Sequence, residues 1–473
     1  MSKRQSRSKT PLAVVILAAG LGTRMKSELP KVLHEVCGRP MLSYVIDAAL
    51  TLAPERIVVV TGDDYEGIVA ILPHGCERVV QKARLGTGDA VRLGMSPLTD
   101  FSGDVIVLCG DVPLVDGEFV DTLMKHHLEV GAAATLTSIV KDEPGAYGRI
   151  VRDEAGAVVC IVEAKDAAAD ELSIREVNVG VYAFAAEALR ETLPKLAPSP
   201  VSGEYYLTDV ISLMLQSGLT VSACTTDDED ACLGVNSRIE LAAVNASMRQ
   251  RLLERLMLAG VTVEDPATTY VDWGVEVGKD TVLRPNTFLV GRTTVGAASE
   301  VGPSSYLENV FVGDRAQVVH SHLYECVVSS SCSVGPFAHI RKNTVLGEGV
   351  RAGAFVEIKN SQIGQASKVP HLSYVGDAVI GKETNIGAGN ITANYDGYDK
   401  HPTTIGSRVK TGSNTTFVAP VTIGDDAFTA AGSVINRDVP AGGLGVARPP
   451  QKNIDGYTKR REQRRRNESS EGR

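Results

Sequence analysis

The segment Leu17-Ala18-Ala19-Gly20-Leu21-Gly22-Thr23-Arg24-Met25, followed by Leu29-Pro30-Lys31, combines small residues with two strategically placed cations. Small residues let backbone N–H groups approach phosphates closely, and Arg24 and Lys31 supply the charge that phosphates require. Alone, the loop reads equally well as a tight turn with surface cations. A dinucleotide fingerprint needs glycine where Met25 stands, and the Walker A spacing is absent. The loop has company, however. Gln81 precedes a second glycine-bearing turn, Leu85-Gly86-Thr87-Gly88-Asp89-Ala90, and Asp111 closes an apolar run in Cys109-Gly110-Asp111-Val112-Pro113-Leu114. A lone strand-end Asp more often caps a turn; beside phosphate-loop motifs it can hold Mg2+.

A second set of polar residues lies far along the chain: Arg341, Lys359, His371, Tyr374 and Asn385. His371 falls in Val369-Pro370-His371-Leu372-Ser373-Tyr374, where a loop or irregular turn is expected. The stretch from Asn390 to Pro402 is a polar insertion too long for one face of a repeat coil. Cations, a phenol, an amide and an imidazole together suit acyl transfer to an amine. The amine must shed a proton, and a histidine with pKa near neutrality can take it. The competing reading is a purely structural solenoid that assembles an oligomer or binds regulators.

The elements that must position these residues are of two kinds. From Val277 an aliphatic residue recurs every sixth position: Val277, Leu283, Leu289, Val295, Val301, Leu307. A six-residue period is neither helix nor simple strand; it predicts short flat faces, three to a triangular coil, with the aliphatics stacked inward as a parallel β-helix. Before it, apolar runs at Leu12–Ala18, Arg56–Val60, Arg78–Gln81, Asp104–Leu108, Ala133–Ile139 and Val177–Phe184 alternate with helix-like segments at Pro40–Leu52, Thr87–Met95 and Glu118–His127. That alternation predicts an α/β domain with a largely parallel sheet, whose ligands bind beyond the C-terminal strand ends. Between the two halves, Ser237 and Glu240 have capping-box spacing, apolar residues recur at Leu241, Val244, Met248, Leu252 and Leu256, and Gly260 is a natural stop. This predicts a helix roughly 30 Å long.

Composition narrows the function classes. The chain has 473 residues, 48 basic against 57 acidic with net charge −9, which gives no reason to expect nucleic acid or an anionic membrane as partner. Two basic stretches, Lys3 to Lys9 and Lys459 to Arg466, read as solvated, disordered ends. Eight cysteines without C-x-x-C or regular spacing indicate reduced thiols and a cytoplasmic protein. His320, His322 and His339 near Cys326 and Cys332 match no familiar zinc spacing and read as solenoid surface. The apolar run from Leu12 is too short for a membrane span and enters the glycine loop, so it reads as a strand and not a signal peptide.

At these motifs the chain resembles the nucleotide-sugar pyrophosphorylases, whose hallmark is L-x-x-G-x-G-T-R-M followed by P-K. The likeness continues through Tyr147-Gly148-Arg149-Ile150, Ile161-Val162-Glu163-Ala164-Lys165-Asp166, Asn178-Val179-Gly180-Val181-Tyr182 and Gly234-Val235-Asn236. With H-L-S-Y, N-I-G-A-G and N-Y-D-G in the second half, it is similar over about 12 to 452 to the bacterial bifunctional enzymes that make UDP-N-acetylglucosamine.

The resemblance implies a Rossmann-like, mostly parallel nucleotidyltransferase domain over 1–236 and a linker helix over 237–260. A left-handed parallel β-helix acetyltransferase domain over 261–447 and a basic tail over 448–473 complete the expected order. It implies that Asp111 and Asn236 hold Mg2+ and that Arg24 and Lys31 serve the phosphates. Leu17, Ala18, Ala19 and Gly20 belong to the same substrate site; Gln81, Gly86 and Thr87 contact uracil, and Gly148, Glu163 and Asn178 the sugar. In the second half it makes His371 the general base and Arg341, Lys359, Tyr374 and Asn385 the ligands of the amino-sugar phosphate. Ala388, Asn394, Tyr395, Ser413, Ala431 and Arg448 contact acetyl-CoA. The implied activities acetylate glucosamine 1-phosphate and then join N-acetylglucosamine 1-phosphate to UMP from UTP, in a homotrimer with acetyl-CoA sites between neighbouring β-helices. The rivals are a monofunctional pyrophosphorylase with a structural β-helix and a non-enzymatic assembly protein on the same folds.

Overall fold

The computed structural model describes residues 10–63 and 66–470. The basic residues Lys3, Arg4, Arg7 and Lys9 lie outside the described residues. The chain divides into two compact units, Met1–Glu254 and Arg255–Arg473.

The first unit is built on one sheet with the strand order Val221–Thr225, Ala134–Val140, Glu176–Ala185, Asp104–Cys109, Leu12–Ala18, Arg56–Thr61, Cys76–Val80. Every neighbouring pair on this path is parallel except those made by Glu176–Ala185, which runs antiparallel to both neighbours. Strand residues alternate between two helix-covered faces, which is why the runs are apolar throughout. Val15, Val58, Val60, Val105 and Val107 pack on one face with Ala90, Val91, Ile211 and Met214. Val14, Ile16, Val59, Ile106 and Leu108 pack on the other with Leu42, Val45, Ile46, Val120 and Leu123. The hairpin Arg149–Arg152/Val158–Val162 was not among the expected strands, although Val158-Val159-Cys160-Ile161-Val162 is apolar throughout.

The second unit is a parallel β-helix of three stacked sheets. Leu283, Val301, Val318 and Val334 are stacked in register in one sheet, Leu289, Leu307, Leu323, Ile340 and Ile358 in the second, and Val295, Val312, Val328 and Leu346 in the third. All of these side chains are 1 % exposed or less, so each coil hides its aliphatics only by stacking on the next. Val277, at the N-terminal end of its column, is half-buried. Corners take left-handed backbone at non-glycine residues, among them Asn309, Asn343, Asn360 and Asp377 at one corner and His320, Phe337, Phe355 and Leu372 at another. Asn and Asp tolerate that conformation well; bulky side chains do not, so the second column stands out.

The connecting helix runs Arg238–Leu258. Ser237 Oγ accepts from Glu240 N–H at 3.4 Å, but the Glu240 carboxylate reaches back to Asn236 N–H (2.7 Å) in place of the Ser237 N–H a capping box would use. At the far end Gly260 has φ +94° and donates to Met257 O, while Val261 N–H donates to Leu256 O, a Schellman stop. Val244, Met248, Leu252 and Leu256 are buried and Leu241 is half-buried. The basic tail differs from expectation: Tyr457–Ser470 is helical rather than disordered, and its described side chains are exposed. Its Arg, Lys, Gln and Glu residues are strong helix formers that need no apolar partner to favour the helix locally.

Candidate active sites

In the first unit a cleft of about 630 Å³ opens beyond the C-terminal strand ends. Sheet register builds it. Leu17 pairs with Val60 on one side and Cys109 on the other, and Gly110 N–H donates to Leu17 O (2.9 Å), which sets the Asp111 turn beside the glycine loop. Val235 N–H then donates to Asp111 O (2.9 Å), bringing Asn236 alongside.

Leu17, Ala18, Ala19, Gly20, Arg24, Lys31, Gln81, Gly86, Thr87, Asp111, Glu163 and Asn236 all line this cleft. Two glycines are required by space and conformation. Gly22 has φ +59° and a Cβ there would sit 2.7 Å from Lys31 Cβ; Gly86 has φ +105° and a Cβ would sit 2.5 Å from Tyr205 O. Gly148 and Asn178 do not line the cleft. They stand beside its Glu163 wall: Asn178 N–H donates to Gly148 O (2.9 Å), and the Asn178 amide donates to Tyr182 Oη (2.7 Å).

The Lys31 ammonium is the electrostatic centre. It forms a close ion pair with Asp111 Oδ2 and donates to Asn236 Oδ1 at 3.1 Å, with both partners of the ion pair mostly buried. A cation thus sits between a carboxylate and an amide oxygen. Hard oxygen donors of this kind fit Mg2+, which takes one or two protein ligands and completes its shell with water and substrate phosphates. Among the described residues no group of three or more His, Cys, Asp or Glu is placed to hold a metal, so this two-oxygen arrangement is the one whose chemistry suits a phosphate-bridged ion. Arg24 is exposed, with no ion-pair partner among the described residues. Burial raises the Glu163 carboxyl above its usual range, while Thr208 Oγ1 donates to Glu163 Oε1 at 2.9 Å and opposes the rise.

Sequence reasoning missed several lining residues: Arg84, whose Nε donates to Ala19 O (3.0 Å), and Cys109, Lys165, Glu204 and Tyr206. Lys165 lies inside Ile161–Asp166 and Arg84 falls between Gln81 and the turn that starts at Leu85, so charge next to those motifs was the available signal. Burial, with Asp111 adding to it, pushes the Cys109 thiol up to about 12.

In the second unit His371 does not interrupt the ladder, contrary to expectation. It ends the strand Lys368–His371, and Leu372 turns a left-handed corner. Val369 and Val375 continue the buried columns on either side while His371 is exposed. Corner hydrogen bonds then stack the site: Gly389 N–H to His371 O (3.3 Å), Asn414 N–H to Ala388 O (2.7 Å), Gly432 N–H to Ser413 O (2.8 Å), and Arg448 Nη1 to Ala431 O (2.8 Å). His371, Ala388, Ser413 and Ala431 therefore follow one edge of successive coils, with the Arg448 guanidinium at its end.

The insertion is narrower than expected. Ile391–Ala393 is a regular strand, and the excursion closes where His401 N–H donates to Asn394 O (2.8 Å). Asn394 is buried against Asp377, and Tyr395 is exposed with its hydroxyl on Gly397 O (2.6 Å). Gly376 leaves room for Tyr374 and Asn394, since a Cβ there would lie 2.5 Å from Tyr374 Oη and 2.9 Å from Asn394 Nδ2. Lys359 has its pKa lowered, first by Lys400, whose ammonium lies against it, and further by Arg341. The clustered cations make this face locally positive. Lys400 was missed, although the insertion that carries it was flagged. Arg341 also holds Glu357 (2.8 Å), and Asn385 is exposed on the coil after Lys368.

Residues 14–196 match the family model of the MobA-like NTP transferase domain, and residues 322–435 match that of the GMPPB C-terminal domain. The bifunctional protein GlmU of Mycobacterium tuberculosis (strain ATCC 25177 / H37Ra) is 47% identical over 457 residues, covering 95% of this chain and 92% of the relative. That of Nocardia farcinica is 48% identical over 458 residues, again 95% of this chain and 92% of the relative. The chain belongs to the GlmU family. As a GlmU-family member it is a bifunctional enzyme, a nucleotidyltransferase and an acetyltransferase of UDP-N-acetylglucosamine and cell-wall biosynthesis. Nothing supports the monofunctional alternative. The first activity acts on nucleotide-sugar substrates with a divalent metal, and among the described residues no helix is long and apolar enough to cross a membrane.

Proposed function

We propose that the β-helix acetylates glucosamine 1-phosphate with acetyl-CoA and that the first unit then transfers UMP from UTP to N-acetylglucosamine 1-phosphate, releasing pyrophosphate. The observation that carries the assignment is the Lys31 ammonium held between Asp111 and Asn236 in a cleft walled by the glycine loop. A sugar-phosphate oxygen attacks the α-phosphorus in line, and the bond to the β-phosphate breaks. Lys31 and Arg24 neutralise the phosphates, Gln81, Gly86 and Thr87 meet the uracil, and Glu163 meets the sugar with Gly148 and Asn178 behind it. Asp111 and Asn236 would hold Mg2+, which when bound stabilises charge on the phosphate oxygens.

In the second unit His371 takes the proton from the amine as its nitrogen attacks the thioester carbonyl, and coenzyme A leaves as thiolate. Arg341 and Lys359, with Lys400 beside them, bind the acceptor phosphate; Tyr374 and Asn385 bind the sugar. Ala388, Asn394, Tyr395, Ser413, Ala431 and Arg448 receive acetyl-CoA. A homotrimer accords with the exposed corner column Phe337, Phe355 and Leu372 beside His371, which a neighbouring β-helix would cover. A cytoplasmic setting accords with eight free thiols.

Glucosamine 1-phosphate, acetyl-CoA and UTP supplied together should give UDP-N-acetylglucosamine, pyrophosphate and free coenzyme A by mass spectrometry, from a species that sediments as a trimer. UDP-glucosamine as the main product would overturn the proposed order.

A further inference from the structure

Gln81 is 4 % exposed and lines the nucleotide cleft. Its side-chain nitrogen donates to Asp89 Oδ2 at 2.9 Å and to Gly86 O at 3.2 Å. Asp89 is itself 4 % exposed, and its other oxygen is held by Arg92 in an ion pair. The Arg92 guanidinium lies over the Tyr205 ring at 6.0 Å, and the Tyr205 backbone is tied to both Leu85 O (2.7 Å) and Gly88 N–H (2.8 Å). Asp89 is therefore a fixed carboxylate on the first turn of the helix Thr87–Gly94.

A carboxylate paired with arginine and a backbone carbonyl both accept hydrogen bonds and neither can donate. Facing two such acceptors, the Gln81 amide has one satisfactory orientation, with its NH2 group toward Asp89 and Gly86. Its carbonyl oxygen, which has no donor among the described residues, is left as the polar group for the cleft. We propose that Asp89 sets the enzyme's preference for uracil by locking Gln81 so that an acceptor, and not a donor, meets the base. This rests on the reading that Gln81 contacts the base.

The chemistry follows from the pyrimidine edges. Uracil presents N3–H, a donor that Gln81 Oε1 can accept. Cytosine presents a bare N3 acceptor at the same place, so a locked Oε1 faces a lone pair and the contact is repulsive. An unlocked glutamine would turn its amide and accept cytosine. The lock removes that escape, because turning the amide would set its oxygen against Asp89 and Gly86 O, leaving buried acceptors unpaired.

The test compares kcat/KM for UTP and CTP, with N-acetylglucosamine 1-phosphate as acceptor, in wild type, Asp89→Asn and Gln81→Ala. Asparagine keeps the shape and replaces one obligatory acceptor with a donor, so Asp89→Asn should lower the UTP-to-CTP ratio by about tenfold or more, through a gain with CTP. A merely structural role would lower both nucleotides together and leave the ratio unmoved; that outcome overturns the proposal. Gln81→Ala separates the two levels. If it leaves the ratio unchanged, the contact of Gln81 with the base is wrong; if it collapses the ratio while Asp89→Asn does not, only the lock is wrong. Acetyl transfer by the same samples verifies that each variant is folded.

Discussion

Arg238 Nη1 lies 3.2 Å from Nδ1 of His34. A guanidinium only donates, so His34 Nδ1 accepts and the ring proton sits on Nε2, which is buried without a hydrogen-bond partner among the described residues. Arg238 Nε also donates to Met25 O at 3.3 Å. One side chain at the start of the connecting helix thus grips the segments that carry Arg24 and Lys31. Two residues on, Glu240 holds the Asn236 N–H. Asn245, further along, accepts from Cys37 N–H at 2.9 Å, and Arg251 Nη1 donates to Leu114 O at 2.8 Å. From Arg238 to Arg251 the helix is part of the nucleotide site's frame.

Arg238→Met should therefore lower kcat for uridylyl transfer by roughly tenfold to a hundredfold, the scale of an ångström-sized misplacement of reacting groups. Acetyl transfer should be unaffected. Arg238→Lys should restore little, because an ammonium cannot span Met25 O and His34 in a planar fork. Wild-type uridylyl transfer in Arg238→Met would remove the framing role.

The same contact predicts acid sensitivity. Burial first, and then Arg238, depress the His34 pKa below its ordinary 6.5. A depressed folded-state value means that this site's stability is present above the unfolded pKa and lost as pH falls through the folded one. Thermal midpoints should drop between neutral pH and pH 5, and His34→Asn should flatten the profile in that window. An equally steep profile in His34→Asn would place the sensitivity elsewhere.

Asp111→Ala should abolish uridylyl transfer, by about a thousandfold or more, because a carboxylate aimed at phosphate-bound metal contributes several kcal/mol. Added Mg2+ should not rescue it. Acetyl transfer should persist, since Asp111 belongs to the first unit. Pyrophosphate release at near wild-type rate in magnesium would refute the metal assignment.

His371→Ala should lower acetyl transfer by roughly two to four orders of magnitude, in kcat more than in the KM for acetyl-CoA, as befits a positioned base. Uridylyl transfer and trimer assembly should survive, because the ring is exposed and the buried ladder at Val369 and Val375 does not include it. Loss of both activities would point to a structural histidine.

Much of the architecture was legible because burial leaves periodic traces. The runs at Leu12–Ala18 and Asp104–Cys109 are apolar at nearly every position since both faces are covered by helices. The antiparallel course of Glu176–Ala185 was not legible, because a strand buried on both faces looks the same in either direction. The fate of His371 was misread for a related reason: hexapeptide spacing reports which residues point inward and is silent on corners, where Leu372 simply turns with φ +47°.

By itself the sequence determined the coil, because six-residue aliphatic spacing can be buried only by stacking one turn on another. It also determined which residue types were available for phosphate and acyl chemistry. Only the tertiary structure decided how they meet. Lys31 lies 80 residues from Asp111 and 205 from Asn236, and they converge because Gly110 bonds to Leu17 and Val235 to Asp111 across the ends of a parallel sheet. The orientation of Gln81 likewise depends on two acceptors that its own neighbours in the chain bring back to it only after a glycine turn and a helix start have formed. Backbone hydrogen bonding sets such distances, and no spacing along the chain encodes them.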